Sequence, residues 1–322
     1  MCVRRCVITV GDLGEFGVVN RITARLPQGE AVMLGPGDDA AIIGAPDGRV
    51  VVSTDLLLEG RHFRRDWSTG YDVGRKAAAQ NLADVAAMGA TPTSLVVGLG
   101  LPADLPLSWL DALTDGLADE CATIGASVAG GDVTRCDLVV IGVTALGDLG
   151  GRAPVLRSGA RPGHVVAVAG RLGYAAAGWA LLEAGVPADS GALREAVAGH
   201  RAPCPPYAMG PVAAGLGASA MLDVSDGLLQ DLGHVAEASG VRVELDPGAF
   251  PVGDPVAAAA KELGADPLEW VLSGGEDHAL AAMFPPDVRL PAEWHVVGRV
   301  VEGEGVVVYG REIGRRGWDH FG

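Results

Sequence analysis

The chain has 322 residues, with 24 basic against 40 acidic side chains and a net charge of −16, a balance that repels nucleic acid. An apolar fraction of 49% allows two cores, each in a domain of about 150 residues, while no apolar run approaches the roughly 18 residues a membrane-spanning helix needs, and the N-terminus has no secretory apolar core. Five cysteines without a C-x-x-C spacing indicate reduced thiols rather than a disulfide framework or a zinc knuckle, so the chain reads as a cytoplasmic protein with no membrane partner.

In chain order, the first half is expected to form strands at 31–33, 40–43, 50–54 and 94–101 and helices at 73–88 and 108–124, closing on a strand at 138–146. The segment GDLGGRAPVLRSGARPG, residues 147–163, is rich in turn formers and marks a domain boundary. A second series follows: strand 165–169, helices 174–184 and 209–216, strand 220–224, helix 228–239, strand 241–245 and helix 255–263. Two α+β domains of mixed α/β content result. Glycines are numerous, 48, but dispersed among apolar segments, so no low-complexity linker is expected.

Acidic residues gather where these elements end. Gly37-Asp38-Asp39 is a glycine turn with adjacent carboxylates, Ser53-Thr54-Asp55 closes a run of valines, and Gly130-Gly131-Asp132 follows a short apolar stretch. Asp223-Val224-Ser225-Asp226-Gly227 and Ser273-Gly274-Gly275-Glu276-Asp277 repeat the device, and the helix from Val73 adds Asn81 and Asp84, three residues apart and so on one face. Each alone is ordinary turn or cap chemistry. Gathered together, two carboxylates about 4 Å apart would repel by on the order of 4 kcal/mol at an effective dielectric of about 20. No Lys/Arg cluster stands beside them in the sequence, so a hard divalent cation is the natural neutraliser, magnesium in preference to calcium because no EF-hand loop is present. Magnesium held by scattered aspartates usually serves a phosphorylated substrate, yet the common phosphate loops and the zinc-hydrolase H-E-x-x-H are missing.

These motifs carry a resemblance. GDDAA at 37–41, STDLLLEGRHF at 53–63, K-x4-N-x2-D-x3-MGA at 76–90, GGD at 130–132, RSGARPG at 157–163, DVSDGL at 223–228 and SGGED at 273–277 run in the order seen in the thiamine-monophosphate kinases, members of the aminoimidazole ribonucleotide synthetase superfamily, which the chain resembles over nearly its full length. The resemblance implies an enzyme that transfers the γ-phosphoryl group of ATP to thiamine monophosphate, with several Mg²⁺ ions. It implies metal ligation, direct or through water, by Asp38, Ser53, Thr54, Asp55, Asp84, Asp132, Asp223 and Asp226. Nucleotide contacts would come from Gly131, Asp132, Arg157 and Ser225, and thiamine phosphate contacts from His62, Glu276 and Trp318. It further implies a metal, nucleotide and dimerisation domain over 1–148 and a C-terminal α+β domain over 149–322 that completes the active site, the N-terminal sheet pairing across a two-fold axis into the barrel-like core of a homodimer. His278 stands where the family commonly has Tyr, and Ala83 where it usually has Ser. The alternatives are another ATP-using synthetase of the superfamily, or a non-catalytic protein binding metal or thiamine phosphate.

The chemistry suits such a site. The acceptor is a phosphate monoester with a second ionisation near pH 6, so its attacking oxygen is largely anionic at neutral pH and no general base is required. Arg157 offers a fork suited to phosphate, and Trp318 a flat face for a cationic thiazolium. Outside the resemblance, Arg157 reads as readily as a surface ion pair and Trp318 almost as readily as a packing anchor, while for His62 a substrate contact is preferred over a solvated loop residue.

Overall fold

A computed structural model describes residues 7–36, 40–310 and 317. The chain divides into two compact units, Met1–Asn81 with Pro92–Asp148, and Leu82–Thr91 with Leu149–Gly322. Both mix helices with sheets. Among the described residues no helix is long and apolar enough to cross a membrane.

The first unit runs α1 (Val10–Thr23), β1 (Val32–Leu34), β2 (Ile42–Ile43), β3 (Val51–Leu58), α2 (Gly70–Ala87), β4 (Thr91–Leu101), α3 (Leu107–Ala122), β5 (Ser127–Arg135) and β6 (Val140–Asp148), the last turns of α2 belonging to the other unit. Helix α1 was not expected from a stretch holding three glycines. Asp12 starts it by accepting from both the N–H and the hydroxyl of Thr9, at 2.9 and 2.8 Å, and Gly14 at φ 69° kinks it. Four strands form a sheet in the order β3-β6-β4-β5. Its covered face carries Leu57, Leu95, Val97, Ile141 and Val143; the other leaves Val52, Leu56 and Val96 exposed, as the two-residue period of a one-sided sheet requires. Helix α2 is buried almost all round, with Ala77, Ala78 and Ala79 wholly inaccessible. It meets α3 at backbone contact: a Cβ on Gly74 would lie 2.0 Å from the Leu113 carbonyl oxygen, and one on Gly116 2.2 Å from that of Tyr71.

The second unit comprises β7 (Val165–Ala169), α4 (Tyr174–Glu183), α5 (Gly191–Arg201), α6 (Met209–Gly215), β8 (Ala220–Asp223), α7 (Leu228–Ser239), β9 (Arg242–Leu245), α8 (Asp254–Leu263), α9 (Pro267–Ser273), β10 (Leu280–Phe284), β11 (Trp294–Val301) and β12 (Gly305–Val308). The sheet order is β12-β9-β11-β7-β10-β8, with β12 parallel to β9 and the other neighbours antiparallel. Ala281 and Met283 face a core with Leu181, Leu228 and Val271; Leu280, Ala282 and Phe284 face another with Ala87, Val155 and Trp294. A strand covered on both faces is apolar at every position, which is why β10 reads as an unbroken run.

Two expectations about strand ends need correction. Asp55 is in the middle of β3, which continues through Leu58, and Asp132 is in the middle of β5. Asp223 does close its strand, while Asp226 and Glu276 lie in the connections that follow β8 and α9.

Candidate active site

In the first unit the β3 pleat sorts the hydroxyl and carboxylate run. Ser53 and Asp55 project toward the helix-covered face, and Gln80 of α2 donates to Asp55 Oδ2 at 3.2 Å. Thr54 points to the opposite face, where its hydroxyl donates to the Val143 carbonyl at 2.9 Å and lies 3.1 Å from that of Thr144. Gly131 and Asp132 lie on β5, opposite Val97 and Gly98 of β4. A Cβ at Gly131 would fall 1.9 Å from the Val97 carbonyl oxygen, so only glycine lets the strands close there. Because β3 and β5 are the two edges of the sheet, Asp55 and Asp132 are three strand spacings apart, about 14 Å. This sheet does not bring them together.

His62 sits in the turn after β3. Its Nδ1 accepts from the Leu58 N–H at 3.0 Å, its own N–H donates to the Leu58 carbonyl at 3.0 Å, and its carbonyl accepts from Lys76 Nζ at 3.0 Å.

In the second unit two motifs some fifty residues apart become neighbours. The Glu276 N–H donates to the Ser225 carbonyl at 2.7 Å and the His278 N–H to that of Val224 at 2.9 Å, lacing SGGED onto DVSDGL. Glycine is required on both sides: a Cβ on Gly275 would meet the Ser225 carbonyl oxygen at 2.5 Å, and one on Gly227 that of Ser273 at 2.6 Å. Glu276 and His278 both take left-handed backbone, φ 65° and 52°, an uncommon state for residues bearing a Cβ.

The acidic cluster here is dense. His278 Nδ1 lies 3.0 Å from Asp223 Oδ2, both side chains buried. Burial opposes the imidazolium, but the hydrogen bond to Asp223 and the charges of Asp223, Asp84 and Glu276 outweigh it and raise the His278 pKa. The cluster also holds Asp231, a residue sequence reasoning overlooked. Its Oδ2 accepts from the N–H groups of Asp226 and Gly227 at 3.1 and 3.0 Å, and its pKa is pushed up to about 7 by burial and then by the charges of Asp223 and Asp226. Glu276 Oε2 is 3.6 Å from His200 Nδ1. Arg157 is exposed, with its carbonyl accepting from the Ser239 hydroxyl at 2.9 Å. Asp38 and Trp318 lie outside the described residues.

Asp277 has a different duty. Its two oxygens accept from the N–H groups of Gly173 and Ala175, at 2.5 and 2.8 Å, capping the start of α4. Burial lifts its pKa to about 7 despite those bonds. A carboxyl with a folded-state pKa above its unfolded value near 3.9 contributes stability that is complete below the unfolded value and is lost as pH rises through the folded one. Between pH 4 and 7 the native protein should therefore lose stability relative to Asp277→Asn, by up to about 1.4 kcal/mol per pH unit. Urea unfolding of both proteins across that range checks this, and a pH-independent difference would refute it.

The donor chemistry suits magnesium. Carboxylates and hydroxyls are hard oxygen donors, the carboxylates of the second unit repel one another as they stand, and Asn81 on α2 keeps a buried Oδ1 with no hydrogen-bond partner among the described residues. Among the described residues no group of three or more His, Cys, Asp or Glu is placed to hold a metal. That is compatible with an ion that keeps its waters, takes one or two carboxylates and fills its shell from substrate phosphates.

Residues 37–149 match the family model of the AIR synthase related protein N-terminal domain. A thiamine-monophosphate kinase of Mycobacterium tuberculosis is 54% identical over 98% of this chain and 93% of its own length. Among solved structures, thiamine-monophosphate kinase from Stenotrophomonas maltophilia superposes with a TM-score of 0.81 at 34% identity, covering 94% of this chain and 98% of its own. AaThiL, solved in complex with AMPPCP and TMP, gives 0.80 at 31% identity, with 98% of this chain and 99% of its own covered. A relative above half identity along almost the whole of both chains leaves one conclusion about lineage: the chain belongs to the thiamine-monophosphate kinase family.

Proposed function

We propose that this protein transfers the γ-phosphoryl group of ATP to the phosphate of thiamine monophosphate, forming thiamine diphosphate and ADP in the cytoplasm. The observation that carries this reading is the 54% identity over 98% of the chain with a kinase of that name. The intact motifs agree with it.

Bringing two anionic phosphates together is the main obstacle to the reaction, and positioning with charge neutralisation is the main task of the protein. Magnesium, when bound, supplies that neutralisation. The residues proposed to hold it are Asp38, Ser53, Asp55 and Asp132 of the first unit and Asp84, Asp223 and Asp226 of the second. Thr54, turned to the other face of β3 with its hydroxyl engaged, is left out of the direct ligands. Gly131, Asp132, Arg157 and Ser225 contact the nucleotide in this reading, and His62, Glu276 and Trp318 the thiamine phosphate. Residues 1–148 form the metal, nucleotide and dimerisation domain, and residues 149–322 supply the remaining contacts.

The working form is a homodimer. The uncovered face of the first unit's sheet, with Val52, Leu56 and Val96 exposed, favours a second copy as the cover, closing the two sheets into a barrel-like core.

One preparation tests the whole reading. ADP release is expected with ATP, Mg²⁺ and thiamine monophosphate, with thiamine diphosphate as co-product, and none with free thiamine or after chelation. Absence of turnover under those conditions would remove the kinase assignment, and a single-chain mass by light scattering would remove the dimer.

A further inference from the structure

We propose that Lys76 is a positioning residue for the acceptor phosphate: it fixes the turn bearing His62 so that the ring presents an Nε2–H donor. The inference rests on the reading of His62 as a substrate contact. Lys76 is only 1% exposed, on a helix where its neighbours Ala77, Ala78 and Ala79 are wholly buried. An ammonium at such depth is costly unless it is hydrogen-bonded, and an apolar side chain would fill the place more cheaply. One of the groups the ammonium holds is informative: the His62 carbonyl, which accepts from Nζ at 3.0 Å. One helical turn on, Gln80 donates to Asp55 at 3.2 Å, so the same face of α2 holds both a proposed metal ligand and the turn that follows it.

The ring geometry completes the argument. A backbone N–H can only donate, so the 3.0 Å contact from the Leu58 N–H makes His62 Nδ1 an acceptor, and in the neutral imidazole the proton must then reside on Nε2. Held this way, His62 is a hydrogen-bond donor toward an anionic oxygen and not a proton acceptor, which matches a reaction whose nucleophile is already ionised. Lys76 and the Leu58 backbone act together: one anchors the carbonyl, the other sets the tautomer.

The test combines kinetics with ¹⁵N spectra of the histidine rings in the full-length protein. Lys76→Met is expected to raise KM for thiamine monophosphate about tenfold with KM for ATP within about twofold. Lys76→Gln, which keeps a donor without the charge, should recover part of that loss. The double variant with His62→Ala should be no worse than His62→Ala alone. In the unmodified protein above the titration of the ring, the His62 signals should be those of the Nε2–H tautomer. An Nδ1–H tautomer would overturn the proposal even if Lys76→Met failed to fold, as would strictly additive effects or an unchanged KM in Lys76→Met beside a raised one in His62→Ala. Should His62→Ala leave KM unchanged while Lys76→Met shifts the His62 ring signals, the substrate role of His62 fails and the positioning by Lys76 stands.

Discussion

Asp226→Asn is expected to lower turnover by about a hundredfold or more while the protein remains folded, and Asp55→Asn to behave alike. The exchange preserves volume and removes one negative charge from a place where charge is already in excess. Asp226 and Asp223 together help to push the pKa of Asp231 up to about 7, so deleting the Asp226 charge relieves a repulsion that the folded chain otherwise bears. The backbone N–H of Asp226 still donates to Asp231, leaving the turn intact. Stability measured in the presence of a chelator should therefore be equal or higher in Asp226→Asn even as kcat collapses. This opposition separates a functional carboxylate from a structural one, since loss of a structural group lowers both. A turnover near that of the native protein would remove Asp226 from the proposed metal set.

Gly74→Ala should have the largest effect on stability, a loss of about 3 kcal/mol or more, or failure to accumulate folded protein. The methyl group would sit 2.0 Å from the Leu113 carbonyl oxygen and 2.9 Å from the Leu117 nitrogen, backbone atoms of a neighbouring helix that no rotamer change can move away. Alanine favours helix over glycine by roughly 1 kcal/mol, so at an uncrowded position the same substitution would stabilise. Gly233 on α7, where an added Cβ meets nothing within 4 Å, is the matched control, and Gly233→Ala should leave the thermal midpoint unchanged or raised. Equal behaviour of the two variants would contradict the close approach of α2 and α3.

The ordered motifs were legible from residue identity alone, because all but RSGARPG combine glycine with an acid and their order along the chain excludes coincidence. Their placement on elements was less so. Asp55 reads as a strand end because carboxylates usually stop strands, yet Val51, Ser53 and Asp55 alternate with Val52, Thr54 and Leu56 in an unbroken two-residue period that carries β3 through Leu58. Strand β5 was missed because Gly130-Gly131-Asp132 has poor strand propensity; parallel pairing with β4 supplies what propensity lacks. Helix α5 had a readable start, since Ser190 caps it by accepting from the Leu193 N–H at 3.2 Å. Lys76 is harder to flag: Arg75 before it and Gln80 one turn on give it polar neighbours in the sequence, and only the fold shows that it is buried. The pairing of His278 with Asp223, 55 residues apart, was beyond any local rule and needed the fold.

The SGGED turn carries a consequence for how this chain can change over time. Glu276 and His278 hold a left-handed backbone that costs a residue with a Cβ roughly 1–2 kcal/mol, and glycine or asparagine would relax it. A laboratory search for thermal robustness that ignored activity would be drawn to those two positions, and mutational drift pulls the same way. The turn is thus a point where durability and usefulness compete. A hardened variant carrying Gly at 276 would be the natural warning that robustness had been gained at the expense of the site.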